Sequence, residues 1–135
     1  MQFIRGPDQA RRIDDPDVRK LVERRLAEIQ NGEPYDPDVH GEMIVVEPGD
    51  TLESLEEETG LPIATSPFDR SRWPAPDWAP VWEQLANHPR CWEMVFIFTD
   101  DGCGSTVFIS KTQDTDPALR ALCERFAEPA PEVTP

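Results

Sequence analysis

The heptapeptide Trp92-Glu93-Met94-Val95-Phe96-Ile97-Phe98 does most to restrict what this chain can fold into. Read as an extended strand, it puts residues 92, 94, 96 and 98 on one face and Val95 and Ile97 on the other. Apolar groups on both faces must both be covered, so the strand belongs inside a sheet. Asp100-Asp101-Gly102-Cys103-Gly104 is a glycine-rich reversal, and residues 106–111 return as an antiparallel partner. Further upstream, Met43-Ile44-Val45-Val46-Glu47 is short, branched and closed by Pro48-Gly49, which marks another buried strand.

Helices are announced by their caps. Asp15-Pro16 and Asp116-Pro117 each join a capping carboxylate to a proline, a residue tolerated at the first helical position because its missing N–H has no intrahelical partner there. After the first cap, Val18, Leu21, Val22, Leu26 and Ile29 share one face until Asn31-Gly32. After the second, Leu119, Leu122, Cys123 and Phe126 form a packing stripe. The polar face of the first helix carries Arg19, Lys20, Glu23 and Arg24, positioned to clamp the acidic segment that follows. Asp50 and Glu53 have capping-box spacing for a short helix that turns Leu52 and Leu55 inward and ends at Gly60. Val81, Trp82 and Leu85 between Pro80 and Pro89 predict a further two-turn helix.

The expected architecture is α+β. It has an about three-stranded, at least partly antiparallel sheet (near 43–47, 92–99 and 105–111) and helices near 16–30, 51–59, 80–88 and 116–127. With 135 residues in all, a single globular domain is expected at 13–127. Residues 1–12 are expected to be a flexible arm, and 128–135, with three prolines, a disordered tail.

Charge is distributed unevenly. Between Arg25 and Arg70 there is no lysine or arginine, yet those 44 residues hold 12 carboxylates, against a net charge of −14 for the whole chain. Such a field repels nucleic-acid backbones and anionic membranes and attracts cationic partners. Thirteen basic residues against 27 acidic ones argue against direct nucleic-acid binding, and Arg5, Arg11 and Arg12 read as a solvated terminus. No run of about 18 apolar residues is present for a spanning helix, and the first twelve residues lack the apolar core of an export signal. Three widely spaced cysteines, Cys91, Cys103 and Cys123, suit reduced thiols. A cytoplasmic protein without membrane attachment is expected.

Several local patterns bear on chemistry. Asp36, Asp38, Gly41 and Glu47 resemble the first, third, turn-glycine and twelfth positions of an EF-hand calcium loop, but His40 stands at an oxygen-ligand position and Pro48-Gly49 blocks the following helix. Val46-Glu47-Pro48-Gly49-Asp50-Thr51-Leu52, with Leu55 and Gly60, resembles the opening of a LysM module. That resemblance implies peptidoglycan binding, yet a proline-rich segment replaces the second helix and closing strand such a module needs. Phe98 to Gly104 is similar to the strand and Asp/Gly turn of SUKH-type immunity proteins over about fifteen residues. His40, His88, Cys91 and Cys103 lack the paired spacing of zinc ligands. Asp100 and Asp101 disfavour a thiolate at Cys103, for which His88 or His40 would have to serve as base. Phosphate-loop, nucleophile-elbow and metalloprotease motifs are missing from the sequence. No catalytic residue, metal or cofactor is expected.

These readings converge on a non-enzymatic interaction module for a basic protein, in the manner of an inhibitor, an immunity factor or an accessory regulator. Glu53, Glu56 and Glu57 would steer the encounter, and Phe68, Trp73 and Trp78 in the proline-rich segment would supply apolar anchors. A nucleic-acid mimic is one alternative. The other is a small-molecule domain or enzyme whose pocket lies at the tryptophan-rich segment. The sequence sets no oligomeric state.

Overall fold

A computed structural model describes residues 1–29, 34–59, 81–97 and 104–127. The elements run β1 (Gln2–Ile4), α1 (Pro7–Arg11), α2 (Pro16–Ile29), α3 (Pro37–His40), β2 (Met43–Val45), α4 (Leu52–Thr59), β3 (Val81–Asn87), β4 (Cys91–Ile97), β5 (Gly104–Ser110) and α5 (Pro117–Phe126). Among the described residues the sheet has five strands rather than about three, in the order β1-β2-β5-β4-β3. Among the described strands only β2 and β5 are parallel; the other neighbours are antiparallel.

As the two-faced pattern requires, β4 lies inside the sheet. Trp92, Met94 and Phe96 enter a core with Ile44, Val46, Val107 and Ile109, covered by Leu52 and Leu55 of α4 and Leu119, Leu122 and Cys123 of α5. Cys91 faces the opposite core. There Phe108, Met43 and Val45 meet Ala10 of α1 and Val18, Leu21, Val22 and Leu26 of α2. Helices therefore cover both faces, in three layers.

Two sequence expectations need correction. Residues 81–87, expected within a helix, form β3. A strand as apolar as β4 needs hydrogen-bonding partners on both edges, and β5 satisfies only one of them. Trp82 pairs with Phe96 across the two strands, and the register slips between Gln84 and Ala86, so Leu85 is the extra residue of a bulge. The i, i+1, i+4 spacing that suggested a helix comes from that bulge, because Leu85 is 38% exposed rather than core. Residues 1–12, expected as an arm, instead provide the edge strand β1 and helix α1. Ile4 and Ala10 are buried, and Gln2–Ile4 pair with Val45–Met43. The tail from 128 onward lies outside the described residues.

The caps form largely as read. Asp15 Oδ1 accepts from the backbone N–H groups of Asp17 (2.9 Å) and Val18 (3.2 Å) at the start of α2. On α4 the box is displaced by one residue: Thr51 Oγ1 accepts from Ser54 N–H, and Ser54 Oγ from Thr51 N–H. Asp50 is thereby released to accept from the Glu47 N–H at 2.8 Å. Glu47 to Asp50 form a tight turn with Pro48 second and Gly49 third at φ 95°, the positive value such a turn needs at that place.

Candidate functional site

The acidic block does not act as one unit. Tyr35 packs into the core on the α2 side, whereas Leu52 and Leu55 pack on the other, so the sheet separates Asp36 and Asp38 from α4. Several of its carboxylates serve the fold. Glu28 pairs with Arg25 (3.0 Å), and Asp36 caps α3 by accepting from Asp38 N–H. Glu47 and Asp50 hold the Met1 ammonium at 2.8 and 2.7 Å. Burial alone would lower that ammonium's pKa, but the hydrogen bonds to Asp50 and Glu47 outweigh it and the net shift is upward.

Helix α4 is different. Leu52 and Leu55 anchor it, and its solvent side shows Glu53, Glu57 and Glu58, with Glu56 half-buried. Among the described residues none of Glu53, Glu57 and Glu58 enters an ion pair. Glu53 and Glu57 are four residues apart, a like-charge spacing that disfavours a helix by about 0.2–0.5 kcal/mol. Glu56, Glu57 and Glu58 crowd the last turn, which has no basic residue, so the helix dipole opposes them. The surface thus gathers negative charge where local helix energetics resist it. Phe68, Trp73 and Trp78, the expected anchors, lie outside the described residues.

Among the described residues, the basic face of α2 does not clamp this acidic segment as expected. Its main acidic contact outside the helix is Glu93, fully buried on β4: Arg25 Nε donates to Glu93 Oε2 at 2.8 Å, a second Arg25 nitrogen contacts the same oxygen, and Arg24 lies 4.0 Å from Oε1. Glu93 Oε1 itself has no hydrogen-bond partner among the described residues. Sequence reading missed this pair, though the signal was present: a carboxylate in the middle of an apolar central strand requires a buried counter-charge.

The groups considered for catalysis or metal binding are engaged structurally. His88 Nδ1 accepts from the Arg90 N–H at 3.0 Å, while the Arg90 guanidinium binds Asp17 through two bonds of 2.8 and 3.0 Å. His40 Nδ1 accepts from the Asp36 N–H. Burial pushes the Cys91 and Cys123 thiols up to about 12, leaving essentially no thiolate near neutral pH. Cys103 lies outside the described residues. Among the described residues, no three His, Cys, Asp or Glu side chains are arranged to hold a metal ion, so Asp36, Asp38 and Glu47 do not converge into a calcium loop. No described helix is long and apolar enough to cross a membrane.

A second feature is a cleft of about 400 Å³ at the carboxyl end of β2. It is bounded by the turn joining α1 to α2, the β2–α4 turn, Met1, Gln2 and Gln113. Gln113 Nε2 donates to the Val46 carbonyl at 3.1 Å and fixes that wall. Comparison with protein-family models, curated proteins and solved structures gives no match.

Proposed function

We propose that the protein is a non-enzymatic interaction module that binds a basic protein through the outer face of α4. The observation that carries this reading is the set of exposed carboxylates Glu53, Glu57 and Glu58. They have no ion pair among the described residues; Glu53 and Glu57 repel at i, i+4, and the helix dipole opposes Glu57 and Glu58 in the last turn. A cationic partner would relieve that repulsion and neutralise the helix end. Glu56 flanks the same face. Phe68, Trp73 and Trp78, a short way along the chain, would provide desolvated contacts that charge alone does not supply. Steering by such a patch raises the encounter rate more than the final affinity, so binding should be fast and sensitive to salt.

The test is capture from host extract by the immobilised chain and by an E53Q/E57Q/E58Q variant of unchanged thermal stability. A partner retained in low salt should be released as the screening length shortens from about 10 Å at 0.1 M to about 3 Å at 1 M. The variant should lose it at every salt concentration. A partner held equally by both proteins would place binding elsewhere and defeat the proposal.

A further inference from the structure

The cleft at the carboxyl end of β2 is apolar at its base and charged at its rim. Ile13, Val18 and Val45 form the base, each at most 5% exposed, and Val46, whose side chain packs in the opposite core, borders it. The α1–α2 turn supplies Arg12 and Asp14 on either side of Ile13. Both are exposed, and neither side chain has a hydrogen bond or ion pair among the described residues. The remaining charges around the cleft are committed. Asp15 caps α2, and Glu47 binds the Met1 ammonium. One cation and one anion, each without a protein partner among the described residues, thus stand two residues apart above an apolar base.

That balance selects a ligand class. A simple anion would meet Asp14, Asp15 and Glu47; a simple cation would meet Arg12 and the Met1 ammonium. A zwitterion with an apolar side chain answers every feature. Its carboxylate faces the planar fork of Arg12, its ammonium faces Asp14, and its hydrocarbon part lies over the floor made by Ile13, Val18 and Val45, beside the exposed ring of Pro48. The volume is at the small end of the roughly 300–1,000 Å³ typical of ligand pockets, which suits a metabolite rather than a polymer. We propose that this cleft binds a free aliphatic α-amino acid, at a site separate from the α4 surface.

The experiment is methyl-resolved NMR of the full chain titrated with leucine, leucine amide and N-acetyl-leucine. Leucine should move the methyl signals of Ile13, Val18 and Val45. The amide, which lacks the carboxylate, and the acetyl derivative, which lacks the ammonium, should each bind roughly tenfold more weakly or worse. R12Q and D14N alter exposed side chains. Their unperturbed methyl spectra would establish folding, and each should weaken leucine binding by a similar factor. Equal shifts from all three ligands would reduce the effect to non-specific apolar contact and overturn the proposal. So would leucine leaving these methyls unmoved well above about 1 mM.

Discussion

Arg25 reaches from α2 to the fully buried Glu93 on the central strand β4, its Nε 2.8 Å from Glu93 Oε2, and so joins a helix to the sheet across 68 residues of sequence. Removing the cation would strand a charge in the core. R25M is expected to lower unfolding free energy by about 3 kcal/mol, at the lower end of the range for a broken buried pair, because Arg24 stays 4.0 Å from the other carboxylate oxygen. The double variant R25M/E93M, which removes both charges, should recover most of that loss. Urea unfolding of the wild type, both single variants and the double variant measures the coupling. Equal losses in R25M and the double variant would mean that the side-chain volume, not the charge pair, matters here.

One carboxylate oxygen caps two helices. Asp116 Oδ2 accepts from Leu119 N–H (3.3 Å) at the start of α5 and from Leu52 N–H (3.1 Å) at the start of α4. A single cap is worth about 1 kcal/mol, so D116A should cost about 2 kcal/mol. Asparagine keeps a carbonyl acceptor, and D116N should be much milder. Thermal or urea unfolding checks both, and amide exchange at Leu52 should accelerate in D116A alone.

Gly49 holds φ at 95° in the turn that leads from β2 to α4, and a Cβ placed there meets nothing within 4 Å. The loss in G49A is therefore one of backbone conformation without steric clash, about 1–2 kcal/mol. G49N should lose less, since asparagine tolerates this region better than alanine. Denaturation midpoints of the two variants, with unchanged slopes, would verify the order.

Burial lowers the pKa of His88 from its ordinary 6.5, and Asp17 opposes that shift only in part. The geometry agrees, because protonating Nδ1 would remove the acceptor for the Arg90 N–H. A depressed folded-state pKa means that the neutral ring's contribution is present above 6.5 and is lost as pH falls through the folded value. The His88 ring-proton NMR titration should have its midpoint below 6.5, and D17N, which removes the favourable neighbouring charge, should move it lower still. A midpoint above 6.5 would contradict the arrangement.

Features fixed within a few residues were legible in the chain. The caps at Asp15-Pro16 and Asp116-Pro117, the packing stripes of α2 and α5, and the antiparallel pairing of β4 with β5 depend on helical or alternating periodicity and on local hydrogen bonds. Within the candidate surface, the outward positions of Glu53 and Glu57 were legible for the same reason, since burying Leu52 and Leu55 sets the rotation of a short helix, whereas Glu56, expected outward, is half-buried and Glu58 is exposed beside it. The acidic block was legible only as a composition. Its division across the sheet was not, because that follows from β2 running between α3 and α4.

Amino-acid order alone thus set the capped helices, the interior strand and the uneven charge. Tertiary structure decided that residues 81–87 extend as β3, that residues 2–4 close the opposite edge, that Arg25 answers Glu93, and that Asp116 serves a second helix. The physical reason is shared. Each of these depends on an unsatisfied edge, charge or N–H group whose partner is supplied by a distant part of the chain, 64 residues away for Leu52 and Asp116. Local propensity carries no information about a partner that only folding brings within hydrogen-bonding reach.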